Sequence, residues 1–412
     1  MAYQNVLVTD APPKAEILST TLPIQYAAYK NIFSIPLEKI ATPCFILDEA
    51  SLERNAMLLS EIKKRTGCKI LLALKAFSTF RSFPLLRRYL DGITASSINE
   101  ARLGAEEFGK EIHVYAPAYT EKDFDSLLHY ADHITFNSFS QWKRFREKVK
   151  TKKKDVHCAI RINPQHSEVK ISLYDPSSRF SRLGVTLPEF EPDQIKGMSG
   201  FHFHNLCGSG FDSLKRTLKS VEEKFGSYFM RPSISWINFG GGHLVTKEGY
   251  DLDEICELIS NFQNRYHVQV ILEPGEAVVY QTGVLVASVV DIIRNDMDIA
   301  ILDTSASAHM PDILEMPYRP EIEGAEQPFI YPYTYRLGGL TCLSGDVIGD
   351  FSFESPLKIG QKLIFKDMAQ YTMVKTTLFN GLNLPSIGYL TKQREFELIR
   401  EFDYMDFKNR LS

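Results

Sequence analysis

The 412-residue sequence predicts an α/β protein: a parallel (β/α)8 barrel followed by a C-terminal all-β domain. Three observations carry this expectation. From residue 51 to about residue 275, eight short apolar strand candidates alternate with amphipathic stretches, the pattern of a parallel sheet. Nearly every one of these strands ends in polar residues or glycine. An open doubly wound sheet would gather such ends at one switch point, whereas a barrel brings them all to one face. After Tyr280 the helical periodicity gives way to strand-like segments separated by turns.

Residues 1–43 read as an extension of unassigned role, irregular over 1–35 and punctuated by Pro12, Pro13 and Pro23. The barrel is expected over 44–282 and the β-domain over 283–412, with the strand CFILD (44–48) belonging to either. The barrel strands are KILLALK (69–75), GITASS (92–97), IHVYAP (112–117), HITFNS (133–138), CAIRIN (158–163), GFHFHN (200–205), WINFGGG (236–242) and QVILEPG (269–275). The clearest helix covers 251–266, where Leu252, Ile255, Ile259, Phe262 and Tyr266 share a face behind a capping Asp251. In the β-domain the strand-like segments are 283–293, 298–304, 335–349 and 358–365.

A net charge of −4 gives no electrostatic footprint for nucleic acid; the one basic run, Lys148 to Lys154, reads as a solvated helix end. The six cysteines are scattered with no C-x-x-C pair, which argues against a zinc site or disulfide framework and for a reducing compartment. Neither a signal peptide nor a membrane span is expected, since the apolar run Val284–Ile293 is broken by Ser288 and Asp291. These features suggest a cytoplasmic protein.

The strand ends carry the chemistry. Lys75 closes the first barrel strand. It is either an ordinary lysine reaching solvent or a desolvated, nucleophilic amine. His202 and His204, two apart, share a face of their strand and precede Gly208-Ser209-Gly210. Gly240, Gly241 and Gly242, followed by His243, form either a flexible loop or a turn that cradles phosphate, for which barrels favour this region. Glu273-Pro274-Gly275-Glu276 ends the last strand. A metal held by His202, His204 and His243 is a rival reading, weakened because the first strand offers Lys75 in place of a His-x-His pair. A lysine, an anion cradle, a histidine face and a carboxylate together meet the needs of pyridoxal phosphate.

From Phe45 to Phe379 the chain resembles the fold-type III pyridoxal-phosphate enzymes, which pair an alanine-racemase-like barrel with a β-domain. The resemblance implies Lys75 as the Schiff-base lysine and His204 as the residue stacked on the cofactor ring. It implies Ser209 and Gly240 to Gly242 as phosphate binders, with Tyr371 contacting the phosphate from the β-domain. Arg161 resembles a cofactor-side arginine, and Glu273 the carboxylate at the pyridine nitrogen. A carboxylate there favours decarboxylation over racemisation. The element CLSGD (342–346) resembles the Cys-x-x-x-Asp that such decarboxylases donate across a dimer interface, which implies a homodimer with Cys342 as proton donor.

The segments LALKAFS, FHFHNLCGSG, NFGGGH, LEPGEA and TCLSGD are similar to carboxynorspermidine (carboxyspermidine) decarboxylases. The resemblance implies a cationic carboxylated polyamine as substrate and release of norspermidine or spermidine with carbon dioxide. Asp346 is then the first candidate to meet the distal amines, and Glu276 the second. Diaminopimelate decarboxylase is the alternative enzyme, disfavoured because an arginine is usual where Glu276 stands. A catalytically silent regulatory homologue is the alternative of another class. The joint presence of Lys75, Glu273, Cys342 and Asp346 speaks against it.

Overall fold

The computed structural model of the chain describes residues 37–151, 155–169 and 174–412. The irregular stretch 1–35 and the end of the basic run at Lys154 lie outside them. Strand β1 (Cys44–Asp48) is buried at all of its five positions and lies in the second domain's sheet, not in the barrel. Its Asp48 accepts from the Ala50 amide, capping the helix Glu49–Thr66 that leads into the barrel.

The barrel comprises β2 (Lys69–Ala73), β3 (Gly92–Ala95), β4 (Glu111–Tyr115), β5 (His133–Phe136), β6 (His157–Arg161), β7 (Gly200–His202), β8 (Trp236–Asn238) and β9 (Gln269–Leu272). Each pairs in parallel with the next, and β2 closes the circle on β9 through Lys69 opposite Ile271 and Ile70 opposite Leu272. The strands read as continuous apolar runs because both faces are covered, by barrel filling within and helices without. The helix Leu252–Tyr266 shows how the outer layer is fixed. Asp251 accepts from the Asp253 and Glu254 amides, and Ile255, Cys256, Ile259 and Phe262 are buried against the barrel. Each such large side chain contributes about 1.5–3 kcal/mol when fully buried.

The second domain is a nine-stranded sheet formed by β1 with β10 (Gly283–Asn295), β11 (Met297–Leu302), β12 (Ala325–Glu326), β13 (Tyr333–Gly338), β14 (Val347–Phe353), β15 (Lys362–Lys366), β16 (Ser386–Leu390) and β17 (Phe396–Arg400). β1 runs antiparallel to β10 and parallel to β16. The domain has its own core, including Phe45, Leu285, Leu337, Phe351 and Phe365. One expectation needs correction. The segment 335–349 is two strands joined by a loop that carries Cys342, because Gly338 and Gly339 end the ladder. The short helices Ala306–His309, Asp312–Glu315 and Thr372–Lys375 sit among the domain's strands, and Tyr404–Leu411 follows them. Among the described residues, no helix is long and apolar enough to cross a membrane.

Candidate active site

The C-terminal ends of the barrel strands bring the expected residues together. Lys75 lies just beyond β2, Arg161 ends β6, His204 follows β7, Asn238 ends β8 and Glu273 follows β9. The Lys75 Nζ is 3.3 Å from His204 Nε2. Lys75 is reached by solvent through the barrel mouth, yet protein surrounds it. That crowding, with the Arg161 guanidinium nearby, moves its amine below the ordinary lysine range. His204 Nδ1 accepts from the Gly241 amide at 3.1 Å, so the ring proton of the neutral imidazole belongs on Nε2, facing Lys75. Burial, reinforced by Lys75 and Arg161, holds the ring neutral. Arg161, 3% exposed, lies 4.6 Å over the Tyr115 ring and donates to the His204 carbonyl at 2.8 Å.

Glu273 is fixed from two sides. Asn238 Nδ2 donates to its Oε1 at 2.7 Å, and His202 Nε2 stands 3.4 Å from its Oε2. Burial alone would raise this carboxyl, but the His202 contact, the positive potential of His202 and His113, and the Asn238 bond outweigh it and bring it down to about 2. Glu273 is therefore an anion deep in the barrel. His202, which the sequence singled out beside His204 and as a possible metal ligand, here holds Glu273 instead. Asn238 was not among the expected site residues; its position two residues before Gly240 on the same strand end was the available signal.

The three glycines divide their work. The Gly240 amide donates to Asn238 Oδ1 at 2.8 Å and the Gly241 amide orients His204, so both position other site residues. A Cβ on Gly241 would stand 2.2 Å from the Glu273 carbonyl oxygen. On Gly242, with φ +87°, it would stand 1.9 Å from that of Leu206. Ser209 N donates to the Gly242 carbonyl and Leu244 N to the Ser209 carbonyl, each at 2.9 Å, which stitches the loops after β7 and β8. The helix Phe211–Phe229 begins beside them at Gly210 with no side-chain cap, leaving first-turn N–H groups for an anion.

The second domain closes one side of this mouth. The Tyr371 amide donates to the Ala76 carbonyl at 2.8 Å, one residue past Lys75. Burial, with Glu276 and Cys207 nearby, raises the Tyr371 phenol and keeps it protonated. Glu276 lies on this same side, with its carboxyl raised to about 7 by burial and by Asp367. Cys342 is exposed on the loop between β13 and β14, and its amide donates to Asn380 Oδ1 at 2.9 Å. Asp346, expected to meet a substrate amine, is 4% exposed, and its carboxylate accepts from Ser305 Oγ, the Ser307 amide, and both the amide and hydroxyl of Thr341. Those bonds fill its acceptor capacity and brace the Cys342 loop. His243, considered as a metal ligand, is buried with Nδ1 3.2 Å from the Tyr250 hydroxyl.

An amine of lowered pKa, an oriented neutral imidazole, an ionised buried carboxylate, and a glycine cradle beside an uncapped helix together fit pyridoxal phosphate. Comparison with known proteins agrees. The family model described as pyridoxal-dependent decarboxylase, C-terminal sheet domain, matches residues 44–369. The chain is similar to the carboxyaminopropylagmatine decarboxylase of Synechocystis sp., with 47% identity over 92% of this chain and 98% of that protein. It is 44% identical to the carboxynorspermidine/carboxyspermidine decarboxylase of Campylobacter jejuni, over 90% of this chain and 99% of that one. The crystal structure of carboxynorspermidine decarboxylase complexed with norspermidine, from Campylobacter jejuni, superposes with a TM-score of 0.83 at 42% identity, covering 90% of this chain and 100% of that one. The chain is an enzyme and belongs to the pyridoxal-dependent decarboxylases.

Proposed function

We propose that this enzyme decarboxylates carboxynorspermidine or carboxyspermidine, releasing norspermidine or spermidine. The observation that carries the reading is Glu273, held ionised by Asn238 and His202 at the strand ends shared with Lys75 and His204. When bound, pyridoxal phosphate supplies an aldehyde carbon for an amine and an electron-poor ring that takes up the electron pair left by carbon dioxide. Lys75 is the amine that would hold the aldehyde carbon before substrate arrives. His204, oriented by the Gly241 amide, would lie against the ring. Glu273 keeps a proton on the ring nitrogen, which an anion of such low pKa does without taking it. Ser209, Gly242, the start of the Phe211–Phe229 helix and Tyr371 hold the phosphate. Arg161 supports the ring side of the pocket through the His204 carbonyl.

A homodimer is part of this reading. Cys342 is exposed, with Leu340, Leu343 and Phe379 also exposed around its loop, as suits a surface that a second copy covers. One protomer then offers Cys342 to its partner's site, where the thiol donates a proton to the substrate's α-carbon. Asp346 acts as the brace of that loop. Glu276 belongs to the phosphate side, beside Tyr371. Free cysteines throughout the described chain suit a cytoplasmic location.

A second reading has equal standing in the comparisons: carboxyaminopropylagmatine, which ends in a guanidinium where the other two end in an amine. Product release from the holoenzyme, given each of the three carboxylated polyamines, meso-diaminopimelate and ornithine in turn, decides between them. The expected result is a decarboxylated polyamine and little from the two amino acids. Turnover of diaminopimelate alone, or none despite bound cofactor, overturns the reading.

A further inference from the structure

At the opposite end of the barrel, away from Lys75, the strands begin with polar residues. Lys69 opens β2, Glu111 β4, His133 β5 and His157 β6, with Trp236 opening β8, and these five line a cavity of about 370 Å³. Such beginnings usually carry only stability. Here the donor set has another quality. One oxygen of Glu111 and one ring nitrogen each of His113 and His133 lie within 4.8 Å of one another. The rings of His113 and His133 are stacked, with centroids 3.8 Å apart and planes 12° apart, and the His157 ring follows at 4.8 Å. His133 is 7% exposed, and its Nδ1 is buried with no hydrogen-bond partner. A buried imidazole nitrogen without a protein partner is a donor atom open to water or to an ion.

We propose that Glu111, His113 and His133 form a site for a divalent transition-metal ion, with His157 at its mouth. The donors suit the metals that imidazole and carboxylate share, such as Zn²⁺ and Cu²⁺. Donors around one ion with bonds of about 2.0–2.1 Å sit roughly 3–3.5 Å apart, and an ion lies in the plane of each imidazole it binds, so the His113 and His133 rings turn out of their stack to close on it. Lys69 is ion-paired with Glu111 and competes with the ion for that carboxylate. The ion ties the beginnings of β4 and β5 together, on the face away from the chemistry.

The test uses Cu²⁺ as probe on the holoenzyme, with affinity from titration and ligands from electron paramagnetic resonance. Nitrogen couplings from two imidazoles and one ion per chain are expected. His133→Ala should weaken binding about 100-fold and Glu111→Gln about 10-fold, with the cofactor's absorbance retained. Lys69→Met should tighten it about 10-fold, since it frees Glu111 and removes a nearby positive charge. The last two variants alter partly exposed side chains and guard against a misfolded His133 variant. Binding unchanged in Glu111→Gln and Lys69→Met, or copper lost only when Cys207 and Cys342 are replaced, overturns the proposal.

Discussion

Glu276 begins a short helix, Glu276–Val279, and its carboxyl rises from an ordinary 4.5 to about 7, through burial and the nearby Asp367, against the opposing pull of Lys247. A raised acid binds its proton more tightly in the folded state than in the unfolded chain. Ionising Glu276 therefore opposes folding, an effect absent below about pH 4.5 and complete above about pH 7. The difference of 7 − 4.5 = 2.5 pH units corresponds to a ceiling of about 3 kcal/mol at ~1.36 kcal/mol per unit. Partial exposure reduces this, and about 1–3 kcal/mol is expected. Glu276→Gln keeps the shape and removes the charge. Its urea midpoint should match wild type near pH 4.5 and exceed it progressively up to pH 8, with the midpoint difference multiplied by the urea slope giving the free energy. Parallel curves for variant and wild type across this range, or a variant less stable at pH 8, would refute the reasoning.

Lys75→Ala should lose turnover and the visible absorbance of lysine-linked cofactor, read by spectrum and carbon dioxide release; retained turnover would move the nucleophile elsewhere. Cys342→Ala should keep the cofactor spectrum but slow turnover by about 100-fold or misdirect protonation, seen as altered product by mass spectrometry. Normal turnover removes its role as donor. Gly242→Ala meets the Leu206 carbonyl at 1.9 Å in a backbone of φ +87°. It should weaken cofactor binding by about tenfold or more, since strain of this kind costs of order 1–3 kcal/mol, measured by titration of the apoenzyme.

The barrel was legible because each strand announces itself twice, by an apolar run and by the polar or glycine residue that ends it. Lys75, His204 and Glu273 stand at those ends, so the sequence exposes them as chemistry. What each glycine does was not legible. The Gly241 amide orients a histidine 37 residues earlier, a pairing that only the closed barrel creates. The bracing of Asp346 was not legible for the same reason: its partner Ser305 lies 41 positions upstream, on a different element of the sheet domain. The place of β1 was ambiguous because Phe45 pairs with Leu285 and Ile387, both far beyond any local pattern.

That placement of β1 governs the order in which the molecule can be built. β1 is made before every other described strand, yet both strands that flank it come after the whole barrel. The eight barrel strands intervene, and their contacts are between near neighbours in sequence apart from the single closure of β2 on β9. The barrel therefore has all its strands long before the sheet does. β1 gains one neighbour when β10 is made and keeps its other edge open until β16 is made. A stop codon or tag that removes residues after about Lys375 would leave a complete barrel beside an unsealed strand edge, the feature that invites chains to pair with one another.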